Sequence, residues 1–91
     1  MVRFNSALSH KEGIKRYRER MPSFGALPGL IQKYYAYDEA ADEWMGIYLW
    51  DSKASLDSFL ASDLRKTIPS AYEVVGAPRI EVARITDTLR D

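Results

Sequence analysis

His10 is the only histidine among 91 residues, so any imidazole base has to be this side chain. It lies in Ser9-His10-Lys11-Glu12, which matches a capping box: the serine hydroxyl accepts from the Glu12 amide while the Glu12 carboxylate reaches back. That position describes an exposed first-turn residue more readily than a base. Lys33 and Arg3 stand in segments that alternate like strands. A cation there can steer an anionic substrate, or its stem can lie on apolar surface while its head pairs with an acid across the sheet. Asp38-Glu39-Ala40-Ala41-Asp42-Glu43 gathers four carboxylates. Its spacing is not that of a calcium loop, and a solvated turn is the plainer reading. Asp63 is a further candidate base, set against a solvated residue near a helix end. Cysteine is absent, which excludes disulfides, thiolate metal ligands and a cysteine nucleophile.

The size and charge of the chain narrow the classes further. Residues 1–91 suffice for one domain, and a domain this small often gains stability from a partner. Thirteen basic and thirteen acidic residues cancel, whereas a nucleic-acid binder carries a basic excess to neutralise phosphates. No leader-like or membrane-spanning apolar run is evident, so a soluble, cytoplasmic protein is expected.

The elements that must position these residues follow from periodicity. Val2 to Leu8 alternates like a short strand. After the Ser9 cap, Ile14, Tyr17 and Met21 recur at helical spacing, and Pro22 is expected to end that helix. Leu30 to Tyr37 and Trp44 to Trp50 read as an aromatic-rich hairpin joined by the acidic connector. Asp51 or Ser52 can cap a second helix with the apolar face Leu56, Phe59, Leu60 and Leu64. Thr67-Ile68-Pro69 breaks it, and Ser70 can start a short extra turn that Gly76-Ala77-Pro78 stops. Arg79 to Thr86 reads as the last strand. The order β-α-β-β-α-β predicts an α+β, ferredoxin-like fold: a four-stranded antiparallel sheet with two helices on one face.

Six tyrosines, three phenylalanines and two tryptophans are many for this length, and most of them lie in the hairpin. In Trp44 to Trp50 both strand faces are apolar: Met45, Ile47 and Leu49 on one, Trp44, Tyr48 and Trp50 on the other. Two helices cover one side only, and a sheet with a wet face should alternate apolar with polar. Tyr35, Tyr37, Tyr48 and Trp50 each offer roughly 150–250 Å². Leaving half of that in water forgoes several kcal/mol at about 25 cal/mol per Å². A second copy packed sheet to sheet is the expected cover for this aromatic face.

Pro28-Gly29-Leu30-Ile31 before a strand, then Gly46-Ile47-Tyr48-Leu49-Trp50, then Asp51-Ser52-Lys53-Ala54-Ser55-Leu56 entering an amphipathic helix, form a familiar succession. It resembles the antibiotic-biosynthesis monooxygenase-like superfamily of dimeric α+β barrels, most of all its YdhR-like group, over nearly the whole chain. The resemblance implies a homodimer with one pocket per subunit between sheet and helices. It also implies oxygenation of electron-rich aromatic or quinol-type compounds without metal or flavin. In such chemistry the protein deprotonates a phenol or enol and holds the anion in a dry cavity, where it reduces oxygen. By the same resemblance, Asn5 and Trp50 occupy places where a haem-degrading branch keeps functional residues. Asn5 would donate to a substrate oxyanion and Trp50 would stack on a flat substrate. That branch has a histidine on the second helix, where this chain reads Ala61-Ser62-Asp63-Leu64, so haem ligation of that kind is not expected. Apart from the resemblance, Lys33, Tyr35 and Tyr48 are expected from their own strand positions to line the pocket and bind substrate.

Two functions of different class compete. One is a cofactor-independent monooxygenase-like enzyme acting on a small aromatic or polyketide-like molecule. The other is a non-catalytic, small-ligand-binding dimer of the same fold. An RNA-recognition domain shares the element order, but the third strand lacks the expected glycine-aromatic pattern and the chain lacks the basic excess.

Overall fold

The computed structural model of the chain describes residues 1–90. Its elements run β1 (Val2–Ser6), α1 (His10–Gly25), β2 (Leu30–Asp38), β3 (Glu43–Trp50), α2 (Lys53–Leu60), α3 (Asp63–Lys66), α4 (Ile68–Ala71) and β4 (Val74–Ile80). The strands form one open antiparallel sheet in the order β2-β3-β1-β4, compatible with the ferredoxin-like arrangement. Serines start three of the helices. The hydroxyls of Ser9, Ser52 and Ser62 each accept from an amide three residues on, supplying partners for N–H groups that the first turn leaves orphaned.

Alternation decides which side chains meet. Val2 and Phe4 of β1 stand beside Gly46 and Trp44 of β3, and Tyr35 and Tyr37 of β2 stand across from the same two residues. These residues share one face, and all the helices pack on it: Phe24, Phe59 and Ile68 are buried there, with Leu64 and Ala71 against them. Gly13 lets α1 approach the sheet, since a Cβ at that position would meet the Trp44 ring at 2.5 Å.

The aromatic face expected to await a second copy is therefore the helix-covered face. Tyr35, Tyr37, Tyr48 and Trp50 point toward α1 and α2, and the opposite face carries Tyr34, Ala36, Met45, Ile47 and Leu49 with no helix over it. Alternation separates the two sets correctly but does not say which set the helices choose. They cover the set with the larger rings, which removes more apolar area from water.

Three element boundaries also differ from expectation. Pro22 lies inside α1, which runs on to Gly25. Only the bond to the Arg18 carbonyl is forfeited, and Arg18 is exposed to water, while the extra turn plants Phe24 in the core at 2% exposure. The second helix stops at Leu60 because the Ser62 hydroxyl donates to the Phe59 carbonyl and accepts from the Arg65 amide, recapping the chain. Finally, β4 occupies Val74–Ile80 rather than Arg79 to Thr86. Gly76, at φ +77°, lies where the β1–β4 register shifts, and Pro78 stands on an edge strand where a missing N–H is tolerated.

Candidate functional site

The β2–β3 register sets Lys33 opposite Tyr48 and Tyr35 opposite Gly46, so these side chains lie side by side beneath the helices. From above, α1 lays Tyr17 on Tyr35, ring centroids 4.5 Å apart and nearly parallel, and brings Phe24 to 6.2 Å from Tyr48. Phe59 of α2 backs Tyr48 from the side of a neighbouring cavity, ring centroids 5.2 Å apart. Between sheet and helices remains a cleft enclosing about 390 Å³, mouth included. Its closed interior is only about 20 Å³, room for a single water molecule.

Lys33 is the polar feature of this cleft. Its Nζ sits 3.4 Å from the centroid of the Phe24 ring, 4.4 Å from Tyr35 and 4.5 Å from Tyr48. Among the described residues it has no carboxylate partner and no hydrogen-bond acceptor for the amine. Burial pushes its ammonium down to about 7, and the nearby Arg20 charge adds to the effect. The ring faces attract the cation and act in the other direction, so both protonation states are accessible near neutral pH. Burial likewise raises the Tyr48 phenol far above its ordinary range, with the Tyr35 hydroxyl contributing. Tyr35 is raised by burial too, against the Arg20 charge, and burial pushes Tyr72 up to about 12. The site thus pairs a readily neutral amine with phenols that keep their protons, in a cavity without an acid.

Of the residues singled out from sequence, Lys33, Tyr35 and Tyr48 meet in this cleft. Trp50 does not line it. It stacks parallel to Tyr48 at 6.1 Å and lines an adjoining cavity of about 60 Å³ with Leu56, Leu60 and Val82. Tyr48 and Val2 form the wall between the two spaces. Asn5 lies elsewhere: exposed, it donates from Nδ2 to the Asp42 carbonyl at 2.8 Å and contributes to neither cavity. Arg3 is held at 3.0 Å from Asp38 and 3.4 Å from Glu43, with Arg79 also gripping Glu43 at 2.6 and 2.7 Å. It is therefore committed to acids across the sheet. His10 stacks on Trp44 at 4.9 Å, and Asp63 is exposed in the first turn of α3.

Sequence reasoning missed Phe24, Arg20 and Tyr72 as parts of this site. Tyr17, Arg20 and Phe24 recur at the three- and four-residue spacing of one helical stripe, which was the available signal, but a helix ended at Pro22 hides its last member. No group of three or more His, Asp or Glu side chains among the described residues is placed to hold a metal ion. Nor does any helix among them have the length and apolar character to cross a membrane. No protein-family model matches the chain, and no curated protein matches it either. The class that fold and site define is thus an α+β domain with an open four-stranded sheet and an aromatic cleft around one lysine.

Proposed function

We propose that the protein is a cofactor-independent, monooxygenase-like enzyme for a small aromatic or polyketide-like compound, built as a dimeric α+β barrel of the antibiotic-biosynthesis monooxygenase-like type. The observation that supports this most is Lys33, an amine close to neutrality in a cleft of rings with no carboxylate beside it. A phenol or enol entering the cleft loses its proton to the neutral amine. The ammonium then holds the resulting anion in a medium of low polarity.

The anion is the reductant. It passes an electron to oxygen, the two radicals join, and the peroxide takes the proton back from Lys33. For an activated CH₂ group, loss of water from the hydroperoxide leaves a carbonyl, so CH₂ and O₂ become C=O and H₂O with no outside reductant. Tyr35 and Tyr48 supply walls and phenolic donors, and Trp50 extends the apolar surface behind Tyr48. The closed interior is too small for such a substrate, so binding has to displace the wall at Tyr48 or fill the mouth.

The dimer is part of the same reading. The uncovered face holds Tyr34 at 53% exposure beside Met45, Ile47 and Leu49. A 10.4 kDa monomer is expected to expose about 5,400 Å², whereas this chain exposes 6295 Å². The excess, about 900 Å², is close to one partner's share of a standard interface.

Oxygen uptake with a panel of anthrones and quinols tests the activity. Wild type should consume oxygen, Lys33→Met should lose ~100-fold or more in rate, and Asn5→Ala should match wild type. If no member of the panel is turned over, the binding-only reading takes precedence. A fully active Lys33→Met variant removes the mechanism.

A further inference from the structure

We infer that Lys33 is a nucleophilic amine that condenses with the carbonyl carbon of a small aldehyde or ketone entering the cleft. An ammonium has three N–H donors to satisfy, and none of the described groups around Nζ accepts from it, which leaves water at the cleft mouth as its acceptor. A neutral amine leaves its lone pair facing the same space, and a lone pair among rings is a nucleophile.

Burial and the Arg20 charge favour the neutral form, while the ring faces favour the ammonium, and no anion stands among the groups that face it. Tyr35 comes from its own strand and Tyr48 from β3; Arg20 comes from α1, with Tyr72 beyond α4 and Arg65 from α3 further off. Two of these are cations, none is a carboxylate, and Arg20 lies over the Phe24 ring that Lys33 also touches. A desolvated lysine next to a second cation is a recognised way to activate an amine.

The condensation balances without an oxidant or reductant. The nitrogen bonds to the carbonyl carbon, and the oxygen leaves as water with the two hydrogens that were on nitrogen, giving an imine. Tyr35 and Tyr48, both held in the protonated state, are the nearest phenols able to donate to the departing oxygen. The inference uses the cleft but not the oxygen chemistry, so the chain can fail to consume oxygen and still form this adduct.

The test is competitive labelling of the folded wild-type chain at pH 7 with limiting propionaldehyde and cyanoborohydride, read by peptide mass spectrometry. Lys33 should be alkylated ~10-fold or more faster than exposed Lys11, Lys15, Lys53 and Lys66, because the neutral fraction of an ordinary lysine is far smaller at that pH. The preference should shrink as pH is raised to 10, where the other lysines also lose protons, and vanish in urea. Labelling of Lys33 no faster than Lys53 at pH 7 overturns the proposal. So does a preference that survives in urea, since it would then come from local sequence rather than from the cleft.

Discussion

Lys33 and Arg3 carry the same charge and each sits within a strand, yet they end in opposite surroundings. Both outcomes, a free cation at a pocket and a head paired with acids, were open to either residue from sequence. Register decides: it puts Arg3 beside Asp38 and Glu43 but lines Lys33 up with Tyr48 under the helices. Pairings across the sheet are long-range facts that local pattern does not contain. The same register separates Asn5 from Lys33. The fate of Lys33 has a thermodynamic consequence. Its folded pKa, about 7, lies below its ordinary 10.5, so burying the charge carries its full cost below pH 7. Between pH 7 and 10.5 the unfolded chain binds more protons, and stability rises with pH. Above about pH 10 the trend reverses, because unfolded tyrosines ionise before Tyr48 and Tyr72 do. Urea midpoints should therefore rise from pH 6 to pH 10 by the equivalent of about 2 kcal/mol, after discounting for the part of the side chain that meets water. In Lys33→Met that rise should disappear and the protein should be more stable at pH 6. A flat wild-type profile would mean that the amine is well solvated.

At the scale of elements, the strands of the hairpin and the capped start of α1 were legible because their signals are local: alternation, and a serine placed before a helical stripe. The end of α1 was not, since the rule that proline stops a helix competes with the burial of Phe24. One lost backbone bond near a wet helix end costs less than leaving that ring in water. Phe24→Ala should accordingly destabilise the domain by about 3–4 kcal/mol, measured by chemical denaturation. It should also raise the Lys33 pKa, because water then enters the cleft. The contact at Gly13 gives a second expectation. A methyl group there meets the Trp44 ring at 2.5 Å, so Gly13→Ala should cost about 1–3 kcal/mol even though alanine is the better helix former. A stabilised Gly13→Ala would show that α1 stands off the sheet. The displaced last strand has a similar origin. Gly76 and Pro78 punctuate loops in most contexts, and only the edge position at β1 makes room for both within a strand.

For the whole molecule, the expectation of a sheet greasy on two sides was sound while the assignment of sides was reversed, and this changes which experiment speaks to assembly. The helices already shelter Tyr48 and Trp50, so substitutions there report on the space between sheet and helices rather than on assembly. The uncovered face is divided. Tyr34, Met45, Ile47 and Leu49 form an apolar half on β2 and β3, while Arg3, Asp38, Glu43 and Arg79, one from each strand, form an ion cluster toward the end where β2 turns into β3. Beyond β4, residues 81–90 add exposed Val82, Ile85 and Leu89, held to the sheet where the Glu81 amide donates to the Met1 carbonyl. If a second copy supplies the cover, light scattering should give a mass near twice 10.4 kDa at micromolar concentration. Tyr34→Lys combined with Ile47→Lys should give a monomer, since two buried cations without partners cost several kcal/mol at a symmetric interface where each substitution occurs twice. Aldehyde labelling of Lys33 should persist in that monomer if the cleft belongs to one chain. A wild-type mass of 10.4 kDa would leave the apolar half of the face without a second copy to cover it, and the dimeric barrel would have to be abandoned.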